Sequence, residues 1–173
     1  MKDSEIEWLG HIPESWDVRP AFTLFSQNRK KNTDKNNNVL SLSYGKIKVR
    51  DLSRNFGLLP ENFDSYQVVE DGYIIIRSTD LQNDKTSLRV GLVKEKGIIT
   101  SAYLGLIPKD HINPNYGFYY LNQCDLKKVF YSLGGGLRQS LRYDDFKRFP
   151  FPFPPLPEQT AICLLYTSDA ADE

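Results

Sequence analysis

Short apolar runs separated by polar breaks dominate the chain between residues 39 and 108. Seven of these runs are rich in Val, Ile and Tyr and are bounded by Gly, Asn, Asp or Pro, a pattern that predicts β-strands. The predicted strands are 39–43, 46–50, 66–70, 73–78, 89–94, 97–100 and 102–108. In the stretch GYIIIRST, residues 72–79, an apolar run turns polar, as expected of a buried strand that delivers side chains to a rim.

Helical patterns flank this β-rich middle. The stretch 20–31 predicts a helix, because Pro20 suits its first turn and the basic residues at its end suit the helix dipole. After Pro114 the apolar positions predict two short helices broken near Cys124. These positions are Phe118, Leu121, Leu126, Val129 and Phe130. The pattern therefore predicts an α+β domain with a short-stranded mixed β-sheet core and flanking short helices.

A proline cluster stands out in RFPFPFPPLPEQTAI, residues 148–162, which holds five of the ten prolines in the chain. Alternation of Phe149, Phe151 and Phe153 with prolines predicts an edge strand, since proline cannot serve a central one. Pro157 suits the first turn of a helix that follows. The alternative interpretation is an interaction module whose polyproline segment is a ligand for a partner. Burial of the phenylalanines would contradict that alternative.

Composition limits the class of protein. The 173 residues are 40% apolar and 13% aromatic, enough for one domain with a real core. Charges balance to zero overall, yet 28–54 carries eight basic residues against two acids, while 55–76 carries four acids and no base. Two cysteines without metal-ligand spacing, no signal peptide and no membrane-length apolar run predict a reduced, cytoplasmic location.

Five stretches, in this order, resemble the specificity (S) subunit of type I restriction–modification systems. They are EWLGHIPESW, SLSYGKI, FDSYQVVEDGYIIIRSTDLQNDKTSLRVGLV, GGGLRQSLRYDDFKRF and PPLPEQTAI. The resemblance covers 7–162 and rests on their joint occurrence, because a Pro-Pro-Leu-Pro corner alone is common. It implies one target-recognition domain at 1–157, the first of two in a full S subunit, which reads half of a bipartite site in double-stranded DNA.

The resemblance also implies partners. In this family a long helix follows the PLPEQ-type corner, and methyltransferase (M) subunits dock against it; its start would be 158–162 here. The S subunit is non-catalytic and directs adenine methylation, or cleavage of unmodified DNA, by M and restriction (R) subunits. Those partners use S-adenosylmethionine, ATP and Mg²⁺, so no cofactor is expected in this chain.

The last eleven residues depart from the family pattern. Where the long helix should continue, the chain reads CLLYTSDAADE, residues 163–173. We interpret this string as the translation of a sequencing-library adaptor rather than native protein. A tail of that origin is expected to make no core contacts.

The basic residues suggest where DNA phosphates are held. Lys46, Lys48 and Arg50 follow Tyr44 in a predicted hairpin, and Lys and Arg commonly position a protein on the DNA backbone. The alternative is a solvated strand face without a partner.

Two further stretches carry side chains able to form paired hydrogen bonds with base edges. The loop after the buried strand offers Arg77, Thr79, Gln82 and Asn83, although Asn83-Asp84 is also a ready turn. GGGLRQSLR places a second set after a glycine-rich turn: Arg138, Gln139, Ser140 and Arg142. A nucleotide-phosphate cradle is less favoured there because Walker spacing is absent. A plain chain reversal with exposed arginines is the other alternative.

Enzyme interpretations find weaker support. Phe153-Pro154-Pro155-Leu156 lacks the polar acceptor and stacking ring with which adenine amino-methyltransferases grip a flipped base. A small metal-dependent nuclease would need clustered carboxylates near a lysine. Asp125-x-Lys127 and Asp145-x-Lys147 have that local spacing but lie in predicted helices without a partnering acid.

Overall fold

A computed structural model describes residues 1–54, 60–81, 86, 88–133 and 140–171. Within these ranges the chain forms twelve short strands: β1 (Lys2–Asp3), β2 (His11–Ile12), β3 (Asp17–Pro20), β4 (Phe25–Gln27), β5 (Leu40–Ser43), β6 (Lys46–Val49), β7 (Gln67–Val69), β8 (Ile74–Ile76), β9 (Val90–Leu92), β10 (Gly97–Ile99), β11 (Leu104–Pro108) and β12 (Pro150–Phe153). The α-helices of the same ranges are α1 (Pro114–Leu126), α2 (Tyr143–Phe146) and α3 (Leu156–Ala171). None of the helices described is both long and apolar enough to cross a membrane.

A four-stranded antiparallel sheet, in the order β4-β11-β8-β9, forms the centre of the domain. Alternate side chains of β8 enter different clusters, because successive residues of a strand point to opposite faces. Ile74 and Ile76 join the main cluster, whereas Ile75 joins a second one. Both faces of β8 are therefore buried, which explains its uninterrupted apolar run.

Two antiparallel pairs contribute to the cluster on the Ile75 face, the β5–β6 hairpin and the β7–β10 pair. Leu40, Val69 and Ile99 come from these pairs and are almost fully buried. Positive φ angles at Tyr44 (52°) and Gly45 (73°) form the tight turn of the hairpin. One parallel bridge, Val39 to Ile98, joins the two pairs. The α+β prediction is confirmed, and all seven predicted strands are present, in shorter form.

Aromatic side chains fill the cluster on the opposite face, where α1 packs. Phe151 is fully buried between Phe25, Tyr120 and Phe149, with ring centroids 4.8 to 5.9 Å from its own. β12 pairs with β3, so FPFPF is an edge strand as predicted. Burial of Phe149 and Phe151 contradicts the polyproline-ligand alternative.

The N-terminal arm is fastened to this aromatic cluster. The Trp8 ring stacks on Phe149 at 5.3 Å, and its Nε1 donates to the Tyr120 hydroxyl at 3.2 Å. Trp16 Nε1 donates to Glu158 Oε2 at 2.5 Å on α3.

One predicted helix is wrong, and one predicted helix break is displaced. The stretch 20–31 holds only a 3₁₀ turn, Ala21–Thr23, before β4 begins. Pairing of β4 with β11 and full burial of Phe25 outweigh the local helical signals, because long-range packing overrides propensity. The predicted break near Cys124 lies slightly later: α1 runs through Cys124 to Leu126, because Leu121 and Cys124 lie on one buried face. Lys128 then has a left-handed φ of 59°, and a short 3₁₀ helix follows at Val129–Ser132.

The expectation that the tail makes no core contacts is also wrong. α3 continues through Cys163, which is 8% exposed and belongs to the main cluster. Gln159, Cys163 and Tyr166 are spaced to share one helix face. Tyr166 stacks on Tyr119 of α1 at 4.2 Å. The adaptor interpretation of residues 163–173, and the boundaries at 157 and 162, stay predictions.

Candidate nucleic-acid interface

Loops from four strands gather at one end of the central sheet. The antiparallel registers pair Ile76 with both Leu104 and Val90, and Gln27 with Leu106. β4 and β8 therefore end where β9 and β11 begin. We call this region, residues 28–31, 77–81, 88–89 and 100–103, the loop end of the sheet.

A polar groove of about 350 Å³ opens at the loop end. Its polar lining comes from β4 and the segment after it, the loop before β11, and the approach to α2: Gln27, Arg29, Ser78, Ser101, Tyr103, Ser140, Arg142, Tyr143 and Asp144. An adjoining cavity of about 270 Å³ shares four of these residues and adds Asn28, Lys30, Lys31 and Gln67. We call the two together the loop-end groove.

Hydrogen bonds hold the walls of the groove in place. The Leu141 amide donates to the Ser78 carbonyl at 2.7 Å, which joins the segment before α2 to the loop after β8. Ser78 Oγ donates to the Ala102 carbonyl at 3.1 Å. The Arg142 amide donates to Asp145 Oδ2 at 3.0 Å and so begins α2, while its side chain stays exposed.

A buried amide network supports the floor. Gln67 Nε2 donates to the carbonyls of Thr100 (3.1 Å) and Tyr103 (2.9 Å), and its Oε1 accepts from Asn28 Nδ2 at 3.0 Å. A Cβ on Gly105 would lie 2.2 Å from Gln67 Oε1, so only glycine fits that position of β11. The network fixes the loop before β11 relative to β4.

Positive charge predominates along the loop-end groove. Arg29, Lys30 and Lys31 are exposed in a row after β4. Arg142, whose Nε lies 3.7 Å from Asp145 Oδ2, lines the same groove. Asp144 is the acid among the described lining residues. A basic groove of this kind attracts a polyanion, because neutralised phosphates release their counterions.

The structure brings several predicted residues together here. Ser140 and Arg142 line the groove, and the half-buried Arg77 and Thr79 flank its Ser78. Tyr44, 87% exposed, lies at the hairpin tip near the same end, since a Cβ on neighbouring Gly45 would contact Leu88 at 3.1 Å. Gln82, Asn83, Arg138 and Gln139 lie outside the described residues.

Other predicted residues lie elsewhere. Lys46 and Lys48 face a separate cavity of about 360 Å³ between β6 and α1, where Lys94 adds a third positive charge. Arg50 lies just after β6, at the end of the hairpin remote from Tyr44, where its amide donates to the Val39 carbonyl at 2.8 Å. Lys46, Lys48 and Arg50 are therefore not part of the loop-end groove.

Sequence reasoning missed most of the polar groove residues, among them Gln27, Arg29, Lys30, Lys31, Ser101 and Tyr103. A strand at Phe25–Gln27 would have placed Arg29 just beyond a strand end, but the local sequence does not show that strand. The stretch 20–31 was assigned to a helix instead.

The carboxylates suggested for a nuclease are engaged elsewhere. Asp125 is 5% exposed, and its Oδ2 accepts from the Arg89 amide at 2.5 Å. Lys127 Nζ donates to the Trp8 carbonyl at 3.2 Å, while Asp145 Oδ2 accepts from the Arg142 amide. Among the residues described, no three His, Cys, Asp or Glu side chains form a metal-binding group.

Two solved structures with a similar fold are S subunits. The chain superposes on the HsdS subunit from Thermoanaerobacter tengcongensis with a TM-score of 0.61 and 16% identity, over 96% of this chain and 40% of that one. The S subunit of the type I restriction–modification system from M. genitalium gives a TM-score of 0.55 and 16% identity, over 96% and 41%.

A third structure, concerned with complex assembly and conformational transition of the type I R-M system, gives a TM-score of 0.61 and 16% identity over 96% and 41%. The chain thus spans about two fifths of the length of each structure. At this level of identity the likeness establishes the fold.

A comparison with curated proteins finds no match. The family model described as type I restriction modification DNA specificity domain matches residues 13–164, which is most of the chain. The chain therefore belongs to the family of type I restriction modification DNA specificity domains.

Proposed function

We propose that this domain binds double-stranded DNA sequence-specifically, with the loop-end groove as its reading surface. The observation that carries the proposal is the convergence of Gln27, Arg29, Ser140 and Arg142 on one basic groove formed by separate loops. Family membership supports a DNA-recognition role.

The groove offers both kinds of group that DNA recognition needs. Lys30 and Lys31 are exposed cations suited to phosphates, which set position without reading sequence. Gln27, Arg29 and Arg142 carry the forked donors and acceptors that pair with adenine or guanine edges in the major groove. Arg138 and Gln139 of the glycine-rich turn are proposed base readers as well.

Lys46, Lys48 and Lys94 form a second basic surface beside α1. We assign it to phosphates outside the half-site that is read. Such contacts strengthen binding to every sequence about equally.

Within an S subunit, this domain would direct adenine methylation or cleavage by M and R subunits. S-adenosylmethionine, ATP and Mg²⁺ would belong to those partners, and the complex would act in the cytoplasm. Family membership supports this role, and the fold agrees with that of two S subunits over 96% of this chain.

The test is binding of the chain to randomised duplex DNA, with selection of bound sequences and titration over a salt series. Non-specific affinity is expected on the order of 10⁻⁴–10⁻⁶ M, weakening as salt rises. Arg142→Ala should relax the preference at one position, at a cost of roughly 1–3 kcal/mol. Lys48→Ala should weaken all sequences equally and lower the salt slope by about one.

Lys96→Ala is the matched control. Lys96 is exposed in the turn between β9 and β10, away from the loop end. Its loss should therefore change the sequence preference less than Arg142→Ala does, and the salt slope less than Lys48→Ala does. Absence of binding to any duplex at low salt would refute the proposal. A preference altered by Lys48→Ala but unchanged by Arg142→Ala would place the reading surface on the hairpin instead.

A further inference from the structure

Arg89, just before β9, is the largest fully buried side chain of the described residues, with an exposure of 0%. A buried guanidinium is costly unless its donors are satisfied. Here they are satisfied by main-chain oxygens at the loop end. Nη1 donates to the carbonyls of Arg77 (2.8 Å) and Thr79 (2.7 Å), and Nη2 donates to that of Asp80 (3.0 Å).

These bonds account for the conformation of the loop after β8. Among the four carbonyls of residues 77–80, only that of Ser78 does not bind the Arg89 guanidinium, and it accepts a hydrogen bond from the Leu141 amide. All four carbonyls of residues 77–80 are thus engaged within the protein. Asp80 has a φ of 56°, a left-handed conformation that a non-glycine residue keeps only when its surroundings enforce it. The side chains of Arg77 and Thr79 remain partly exposed.

Arg89 is also hydrogen-bonded to residues on the helical side of the domain, Asp125 and Tyr131. Its amide donates to Asp125 Oδ2 on α1, and its Nε donates to the Tyr131 hydroxyl at 3.2 Å. The guanidinium carbon lies 5.3 Å from the centre of the Tyr131 ring. Burial raises the pKa of the Asp125 carboxyl, and the nearby Arg89 partly offsets that rise. The loop is therefore connected to α1 through one residue, whose side chain binds the loop and whose amide binds Asp125.

We propose that Arg89 is a positioning residue for DNA recognition. It fixes the loop 77–80 and, through the bond from the Leu141 amide to the Ser78 carbonyl, the segment that brings Ser140 and Arg142 to the groove, without touching DNA itself. The inference rests on the proposed function. Base discrimination needs donors held to within about 0.5 Å, so a loop freed from its clamp should bind DNA but read it poorly.

Arg89→Lys is the direct test, because lysine keeps the charge but cannot span three carbonyls with a planar fork. In the free chain, amides of 77–81 and of Leu141 should exchange with solvent faster, by about 10-fold or more, as expected of local opening. In DNA selection, the ratio of preferred-site to random-site affinity should fall roughly 10-fold, within the range of one lost base contact. The salt slope should stay unchanged, since no phosphate contact is lost.

Ile98→Val is the matched control for stability alone. Ile98 is fully buried in a separate cluster with Val39 and Val68. With both variants assayed at temperatures giving the same folded fraction, Ile98→Val should keep the wild-type affinity ratio. An equal fall of the affinity ratio in both variants would show that Arg89 contributes only to the stability of the core, which would overturn the inference.

Tyr131→Phe is the milder second variant, since it removes only the hydroxyl that accepts from Arg89 Nε. Tyr131→Phe should speed amide exchange in the loop 77–80 and lower the affinity ratio, as Arg89→Lys does, but by only about 2-fold to 3-fold. That size is expected for the loss of one net hydrogen bond. If Arg89→Lys does not fold, Tyr131→Phe decides, and wild-type exchange and ratio in that variant would overturn the inference.

The two proposals fail separately. A wild-type chain that binds DNA without sequence preference refutes the sequence-reading function. Amide exchange in the free chain still tests whether Arg89 holds the loop 77–80, because that measurement needs no DNA. Suppose instead that the wild-type chain selects a DNA site, and that Arg89→Lys keeps either the wild-type amide exchange or the wild-type affinity ratio. The proposed function then stands and the positioning role of Arg89 is refuted.

Discussion

Phe151→Ala tests whether the proline-rich strand β12 is part of the core. The Phe151 side chain is 0% exposed, and its ring lies 4.8 Å from Tyr120, 5.5 Å from Phe25, 5.9 Å from Phe149 and 6.4 Å from Phe146. Truncation removes one ring from the centre of this group. The main-chain pairing of β12 with β3 is untouched by the change.

The expected loss of unfolding free energy is about 3–5 kcal/mol, the usual cost of Phe→Ala in a core. We expect the upper part of that range, because aromatic pairs contribute about 0.5–1.5 kcal/mol each beyond area burial. For a chain of this size each kcal/mol lowers the melting temperature by about 2–4 °C. The melting temperature should therefore fall by roughly 6–20 °C.

Phe153→Ala is the matched control, two residues along the same strand. Its ring is half-buried, with the Arg19 guanidinium carbon 4.2 Å from the ring centre and His111 at its edge. The expected loss is about 1–2 kcal/mol. Thermal melts followed by circular dichroism and urea titrations measure both variants. A Phe151→Ala variant no less stable than Phe153→Ala would show that β12 is not packed as described.

Two further predictions concern the helical side of the domain. Burial raises the pKa of the Cys124 thiol to about 12, so at pH 8 roughly one thiol in ten thousand is ionised; burial also raises the pKa of Cys163. Both thiols should therefore resist a colorimetric thiol reagent until the chain is denatured, and rapid labelling of the native chain would contradict their burial. Tyr166→Ala should cost about 0.5–1.5 kcal/mol through loss of its stack on Tyr119. Leu165→Ala, at a side chain 68% exposed, should change stability by less than about 0.5 kcal/mol, and equal melting temperatures for the two would show that the stack contributes nothing.

The local pattern of apolar and polar residues was enough to predict those elements whose own residues show a strand or helix pattern. The β8 run of three isoleucines and the Phe-Pro alternation of β12 are visible in sequence, because burial on two faces and an edge position each leave a distinct pattern. β4 carried no such signal. Its strand conformation depends on β11, about 80 residues later, and the basic residues after it also suit a helix end.

The candidate site was harder to predict than the elements around it. The loops holding Arg77 and Arg142 were predicted to carry base readers, but their meeting through the bond from Leu141 to Ser78 depends on long-range register. Lys48 was predicted to hold DNA phosphates, but sequence alone did not show that the hairpin turns it toward α1 and away from the loop-end groove. Arg89 resembled an ordinary strand residue, because sequence alone does not show that a charged side chain is buried.

The pairing of β3 with β12 has a consequence for how this chain folds during synthesis. It joins residues about 130 positions apart, and in the described part of the chain β3 pairs with no other strand. At about 5–20 residues per second, a ribosome needs roughly 7–26 s to make the intervening segment. For almost all of that interval Phe25 lacks the ring of Phe151, and Tyr120 lacks the rings of Phe149 and Phe151 from the moment it is made. The nascent chain therefore exposes apolar surface until its last strand emerges, which makes it a natural client for chaperones that hold unfinished domains.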